Sequence, residues 1–115
     1  MPTLDETKSL IWQLSKKKGW GEEVATKIYY AMIELGEAGD CWKHRGDPEY
    51  LMDNLNITVD EVPDYMMEEF IDALFYILHA MMCLDPDLSA DEAFQRKFKI
   101  NENRNRVYVD DKLEG

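Results

Sequence analysis

Residues 63–84 read PDYMMEEFIDALFYILHAMMCL, and their pattern decides the fold. Pro63 suits the first turn of a helix, where its missing N–H has no partner to lose, and Asp85-Pro86-Asp87 stops the run. From Phe70 to Leu84 the apolar side chains point nearly all round: Phe70, Ile71, Leu74, Phe75, Ile77, Leu78, Met81 and Met82. A helix of that kind must be covered on every side. It falls short of the roughly 18–20 uncharged residues of a membrane span, and Asp72 and His79 interrupt it. A chain of 115 residues has too few other helices to surround it. The stretch therefore predicts an all-α domain whose helix meets a second copy through a symmetric interface.

On either side the chain stays helical. Thr3 and Glu6 form a capping-box pattern, in which hydroxyl and carboxylate each serve a free N–H, and they open a helix over 4–18. Lys16, Lys17 and Lys18 complement its negative end and Gly19 closes it. A second helix is predicted over 22–44, with Glu22 and Glu23 in its first turn. It carries Gly36 and Gly39, each unfavourable by roughly 1 kcal/mol relative to Ala. They suggest close approach of another backbone or a ligand, plain tolerance being the alternative reading. Residues 45–62 read as a loop rich in turn formers, with a short helical turn at 50–55 and with Leu51, Leu55, Ile57 and Val59 packing down. Ser89 and Glu92 repeat the capping-box pattern and open a last helix over 90–105. The expected organisation is one domain over 1–106 and a polar tail over 107–115.

The 13 Lys+Arg against 24 Asp+Glu give a net charge of −11. Nucleic acid and anionic membranes reward a basic surface, so neither is an expected partner. The N-terminus, MPTLDETKSL, lacks a basic-then-apolar signal region, and Cys41 and Cys83 form no spaced framework. A cytoplasmic protein with reduced core cysteines is expected. Two histidines and two cysteines, scattered, do not make a zinc site.

Four acids stand out. Glu34 and Glu37 lie on the second helix, Glu69 and Asp72 on the third, each pair spaced i, i+3 and so on one helix face. About five acid-x-x-acid pairs are expected by chance in so acidic a chain, and about that many occur, including Glu37/Asp40, Glu61/Asp64 and Asp111/Glu114. Context separates them. The pairs at Glu61 and Asp111 lie in polar stretches, whereas the first two lie in the most apolar helices, where an unpaired charge is costly. The rows Tyr30, Glu34, Glu37, Cys41 and Tyr65, Glu69, Asp72, Tyr76 follow the same i, i+4, i+7, i+11 spacing, so two matched faces can meet as a pseudo-symmetric pair. Four carboxylates around one point would repel one another, and a hard divalent cation with an all-oxygen shell resolves that. A partly solvated polar seam is the competing reading.

No Lys or Arg occurs between Arg45 and Arg96; then Arg96, Lys97, Lys99, Arg104 and Arg106 follow within eleven residues. Lys99, Asn103 and Arg106 share a helix face at i, i+4 and i+7 and can bind phosphate, as point charge, neutral hydrogen-bonding group and fork respectively. A solvated face balancing the acidic middle is the alternative.

Together these residues resemble the MazG-like all-α nucleoside triphosphate pyrophosphohydrolases. That family carries E-E-x-x-E on one helix, here IELGE at 33–37, and E-x-x-D on a later one, here EFID at 69–72. A K-x-x-x-N-x-x-R run in the last helix is similar to KINENRNR at 99–106. Ile33 replaces the first Glu, and the 45–62 gap is long by the family's standard, a loop placed to shape a nucleobase pocket. The resemblance covers residues 5–106. It implies a four-helix bundle assembled as a homodimer or homotetramer. It also implies Mg²⁺, with Mn²⁺ as an alternative, held by Glu34, Glu37, Glu69 and Asp72. The implied reaction cleaves an NTP or dNTP to the monophosphate plus pyrophosphate. Glu37 and Glu69 are the catalytic candidates, Glu37 as acceptor of a proton from water, and Lys99, Asn103 and Arg106 would hold phosphate. Trp42 is a candidate base contact, a core position being the other reading. Lys43 reads as surface, Trp12 and Trp20 as packing residues, and His79 as a core or interface histidine. Two other functions stay open: a related enzyme for a modified or phosphoribosylated nucleotide, and a non-catalytic helical interaction module. A di-iron carboxylate bundle is disfavoured because its E-x-x-H pairs are missing.

Overall fold

The computed structural model describes residues 1–104, and its regular structure is entirely helical. The elements are α1 (Leu4–Lys18), α2 (Val24–Lys43), α3 (Pro48–Leu55), a single 3₁₀ turn (Val59–Glu61), α4 (Val62–Leu84) and α5 (Ala90–Glu102). Arg106 and the 107–115 tail lie outside the described residues.

Helix ends follow local chemistry. The Thr3/Glu6 capping box forms in full, and Gly19 closes α1 at φ 71°, a left-handed value that glycine reaches without Cβ strain. Glu22 and Glu23 precede α2 rather than filling its first turn, with Glu23 at the N-cap making no side-chain capping bond. The capping box expected at Ser89 forms by half. Ser89 Oγ accepts from the Glu92 N–H at 3.1 Å but donates to Asp5 Oδ2 at 2.6 Å. Among the described residues the four expected helices become five, because the turn placed at 50–55 starts two residues earlier. Asp47 accepts from the Tyr50 N–H at 3.0 Å and Pro48 occupies the first turn.

α2 and α4 pack antiparallel. Tyr30 meets Tyr76 at one level, with ring centroids 5.4 Å apart, and Glu37 meets Glu69 further along, so numbers rise on one helix as they fall on the other. The core beside them is built on Cys41, fully buried, with Leu51, Ile57 and Val62 and with Leu55, Tyr65 and Met66 against it. Three of the four apolar residues expected to pack down from 45–62 do so; Val59 stays exposed. Cys83 is half-buried, and both cysteines are free.

α1 packs on α4, and its N-terminus is joined to that of α5 by reciprocal caps. Asp91 accepts from the Leu4 and Asp5 N–H groups at 3.0 and 3.1 Å, while Asp5 accepts from the Ala90 N–H at 2.7 Å. Lys8, buried, donates to the Leu88 carbonyl at 2.6 Å. Beyond Ala90, α5 is almost wholly exposed, with Phe94 and Phe98 stacked on each other 6.2 Å apart. Phe70, Ile71, Leu74, Phe75, Ile77 and Met81 of α4 are also exposed, as are Ile28, Met32 and Leu35 of α2. Gly36 and Gly39 open onto the same row as Ile28 and Met32, and a Cβ at either would meet nothing within 4 Å. The close approach of another backbone that their positions suggested does not occur among the described residues. No helix among the described residues is long and apolar enough to cross a membrane.

Candidate metal centre

The antiparallel packing of α2 and α4 turns two weak spacings into one site. Residues 34 and 37 share a face of α2, and 69 lies opposite them on α4. Glu34, Glu37 and Glu69 each offer a carboxylate oxygen, and these three atoms lie within 4.8 Å of one another. Glu37 is exposed while Glu34 and Glu69 are half-buried. One oxygen of Glu69, Oε2, is buried without a hydrogen-bond partner. Burial first, and then the Glu34 and Glu37 carboxylates, push Glu69 up to about 8. Tyr65 beside it is pushed up to about 12 by burial and then by Glu69 and Glu37. Burial, Glu34 and Asp72 likewise raise Tyr76.

A buried carboxylate oxygen facing two further carboxylates is an unfavourable arrangement that a cation would relieve. The donor set is all oxygen, which suits a hard divalent ion such as Mg²⁺. Asp72 stands outside the group of three. It is exposed and, with Glu34, borders a cavity of about 840 Å³ that runs on from the carboxylates between α2 and α4. Tyr30, Phe75 and Tyr76 wall it, and Trp20, Lys27 and His79 lie at its other end. Burial, ahead of the nearby Lys27, lowers His79, which is 2% exposed and has Nε2 2.9 Å from Ser15 Oγ.

The remaining candidates lie elsewhere. Lys99 is exposed on α5 and borders a separate shallow groove with Phe94 and Phe98, while Asn103, also exposed, is the C-cap, because α5 ends at Glu102 and not at the expected residue 105. From Asp72 to the end of α4 is roughly 18 Å of helix, and α5 begins only after that. Arg106 is not among the described residues. Trp42 is exposed, does not line the cavity, and stacks under the Arg45 guanidinium at 4.0 Å. Lys43 is at the surface. Residues 45–62 do not line the cavity; they pack at the Cys41 end. The α1–α2 connection, with Trp20, Glu22 and Glu23, walls it instead.

Sequence reasoning missed Trp20 and Lys27. Trp20, read as packing, is 44% exposed at the cavity rim. Lys27 had a legible signal: it is the one cation between Lys18 and Lys43, two helical turns before Glu34 on the same row. No family model matches the chain, and no curated protein or solved structure matches it either.

Proposed function

We propose that this chain is a Mg²⁺-dependent nucleoside triphosphate pyrophosphohydrolase of the MazG-like kind, acting as a homo-oligomer. The observation that carries the reading is the meeting of Glu34, Glu37 and Glu69, with one Glu69 oxygen buried and unpartnered. Glu34, Glu37 and Glu69 would hold the ion, with Asp72 beside them. A bound Mg²⁺ would supply positive charge for phosphate oxygens and for an attacking water. Glu37, the exposed carboxylate of the three, would take the water's proton as the anhydride link between first and second phosphates breaks. The aromatic cavity running on from the carboxylates fits the nucleoside half of the substrate, since flat rings offer stacking area.

The oligomer is part of this reading. The exposed apolar rows on α2, α4 and α5 call for cover. A second copy would cover them and would bring Arg96, Lys97 and Lys99 of α5 towards the acidic cluster, which Lys99 does not approach within its own chain. Replacing Glu69 by Gln tests the assignment. Turnover should vanish with the oligomer intact, and an active variant would contradict the reading.

A further inference from the structure

Lys27 is 7% exposed and sits on α2 with no side-chain hydrogen bond or ion pair among the described residues. Its nitrogen is nevertheless not sealed in, because the buried polar atoms without partners include Glu69 Oε2 and not Lys27 Nζ. The open space that Lys27 borders is the cavity leading to the carboxylates. Glu22 and Glu23 also border that end, and neither bonds to the Lys27 side chain. Glu22 pairs with Lys16, and Glu23 accepts from Thr26 Oγ1 at 3.4 Å. The Lys27 ammonium group thus opens onto a chamber with no hydrogen-bond acceptor from the described residues bound to it, and a ligand entering that chamber can supply one.

We infer that Lys27 is a specificity-determining residue that donates a hydrogen bond to the keto oxygen of a nucleobase, selecting uracil, thymine or guanine over cytosine or adenine. The inference rests on the nucleotide reading of the cavity. Lys27 lies about 10 Å along α2 from Glu34, two turns from the carboxylate end. Trp20 and His79 share that end, with Phe75 and Tyr76 walling the cavity towards the carboxylates, and such ring faces suit a base rather than a phosphate. A lysine offers donors and no acceptor. It matches O4 of uracil or thymine and O6 of guanine, and it opposes the exocyclic amino groups of cytosine and adenine, which are themselves donors. Mispairing two donors leaves both unsatisfied, which makes such a contact selective.

Uracil and cytosine differ at that edge while sharing size and stacking face, so the test compares them. The full-length protein is assayed for kcat/KM on UTP and CTP, and for binding of UMP and CMP by calorimetry. Lys27→Met and Lys27→Arg variants run alongside, with melting curves to check folding. The wild type should favour uracil by about tenfold or more, the usual worth of a hydrogen bond to a charged group. Lys27→Met should lose that ratio, mainly through KM for UTP, and Lys27→Arg should restore part of it. Preference for CTP, or a Lys27→Met variant that keeps the wild-type ratio, would overturn the inference while leaving the hydrolase reading intact. Lys27-dependent binding of UMP without turnover of any triphosphate would support the inference and overturn the hydrolase reading. Equal or no binding of UMP and CMP, without turnover, would overturn both.

Discussion

Glu69 is where stability and function pull in opposite directions. Its buried oxygen has no partner, and burial with Glu34 and Glu37 holds the group up at about 8. In EDTA, the protein should therefore lose stability as pH rises from the ordinary carboxylate range through about 8, because the folded state favours the protonated form. Glu69→Gln removes that charge and supplies an amide that can donate to Glu34 or Glu37. The variant should melt higher than wild type in EDTA, by about 1–3 kcal/mol, with the difference largest above pH 8. Equal stability of the two proteins across that range would mean that the three carboxylates do not strain one another. Glu69 was legible in the sequence because E-x-x-D lies in an apolar run. Lys27 was not singled out, because a lone lysine on a helix ordinarily snorkels to water, and only the packing of α2 against α4 makes its nitrogen open into a cavity instead.

Helix positions follow from caps and periodicity, which are local, so α1, α2, α4 and α5 were readable to within a few residues. What the sequence did not disclose is how elements distant in the chain share caps. Asp5 and Asp91 each look like ordinary first-turn acids, yet each caps the other's helix. The Ser89 hydroxyl, above all, holds Asp5 well below the usual carboxylate range, against the opposing effect of burial. A group lowered on folding contributes stability that is complete above its unfolded pKa and is lost as pH falls below it. Acid below about pH 4 should therefore release α5 from α1 before α2 and α4 separate. Hydrogen exchange at the Ala90–Ala93 amides would report this, and Asp5→Ala should give the same fast exchange at neutral pH. Protection unchanged in Asp5→Ala would show that the shared caps do not hold the joint. The 45–62 segment was misread as mostly loop, because its turn formers outweigh the apolar residues that fix α3 against Cys41.

The described residues leave large apolar side chains bare on α2, α4 and α5, which the proposed oligomer would cover. Phe94 and Phe98 are 59% and 58% exposed, and α4 exposes the residues that made its sequence decisive. Phe98→Asp should shift the protein towards monomer in light scattering with its helical content retained. Mixing tests whether α5 serves a neighbouring site. Glu69→Gln and Lys99→Ala oligomers, each inactive alone, should recover about a quarter of wild-type activity after exchange, since half the dimers pair unlike chains and one of their two sites is intact. No recovery on complete exchange would place Lys99 outside the partner's site. Covering surfaces contributed by another copy leave no trace in the contacts of one chain. The all-round apolar pattern of residues 70–84 therefore predicts a covering partner without giving its geometry.

The most direct measurement is pyrophosphate release from a panel of NTPs and dNTPs, with Mg²⁺ and with EDTA, on wild type and Glu69→Gln. Release should require the metal and be absent from the variant. A folded wild-type oligomer that releases none from any nucleotide, or release indifferent to EDTA, would contradict it.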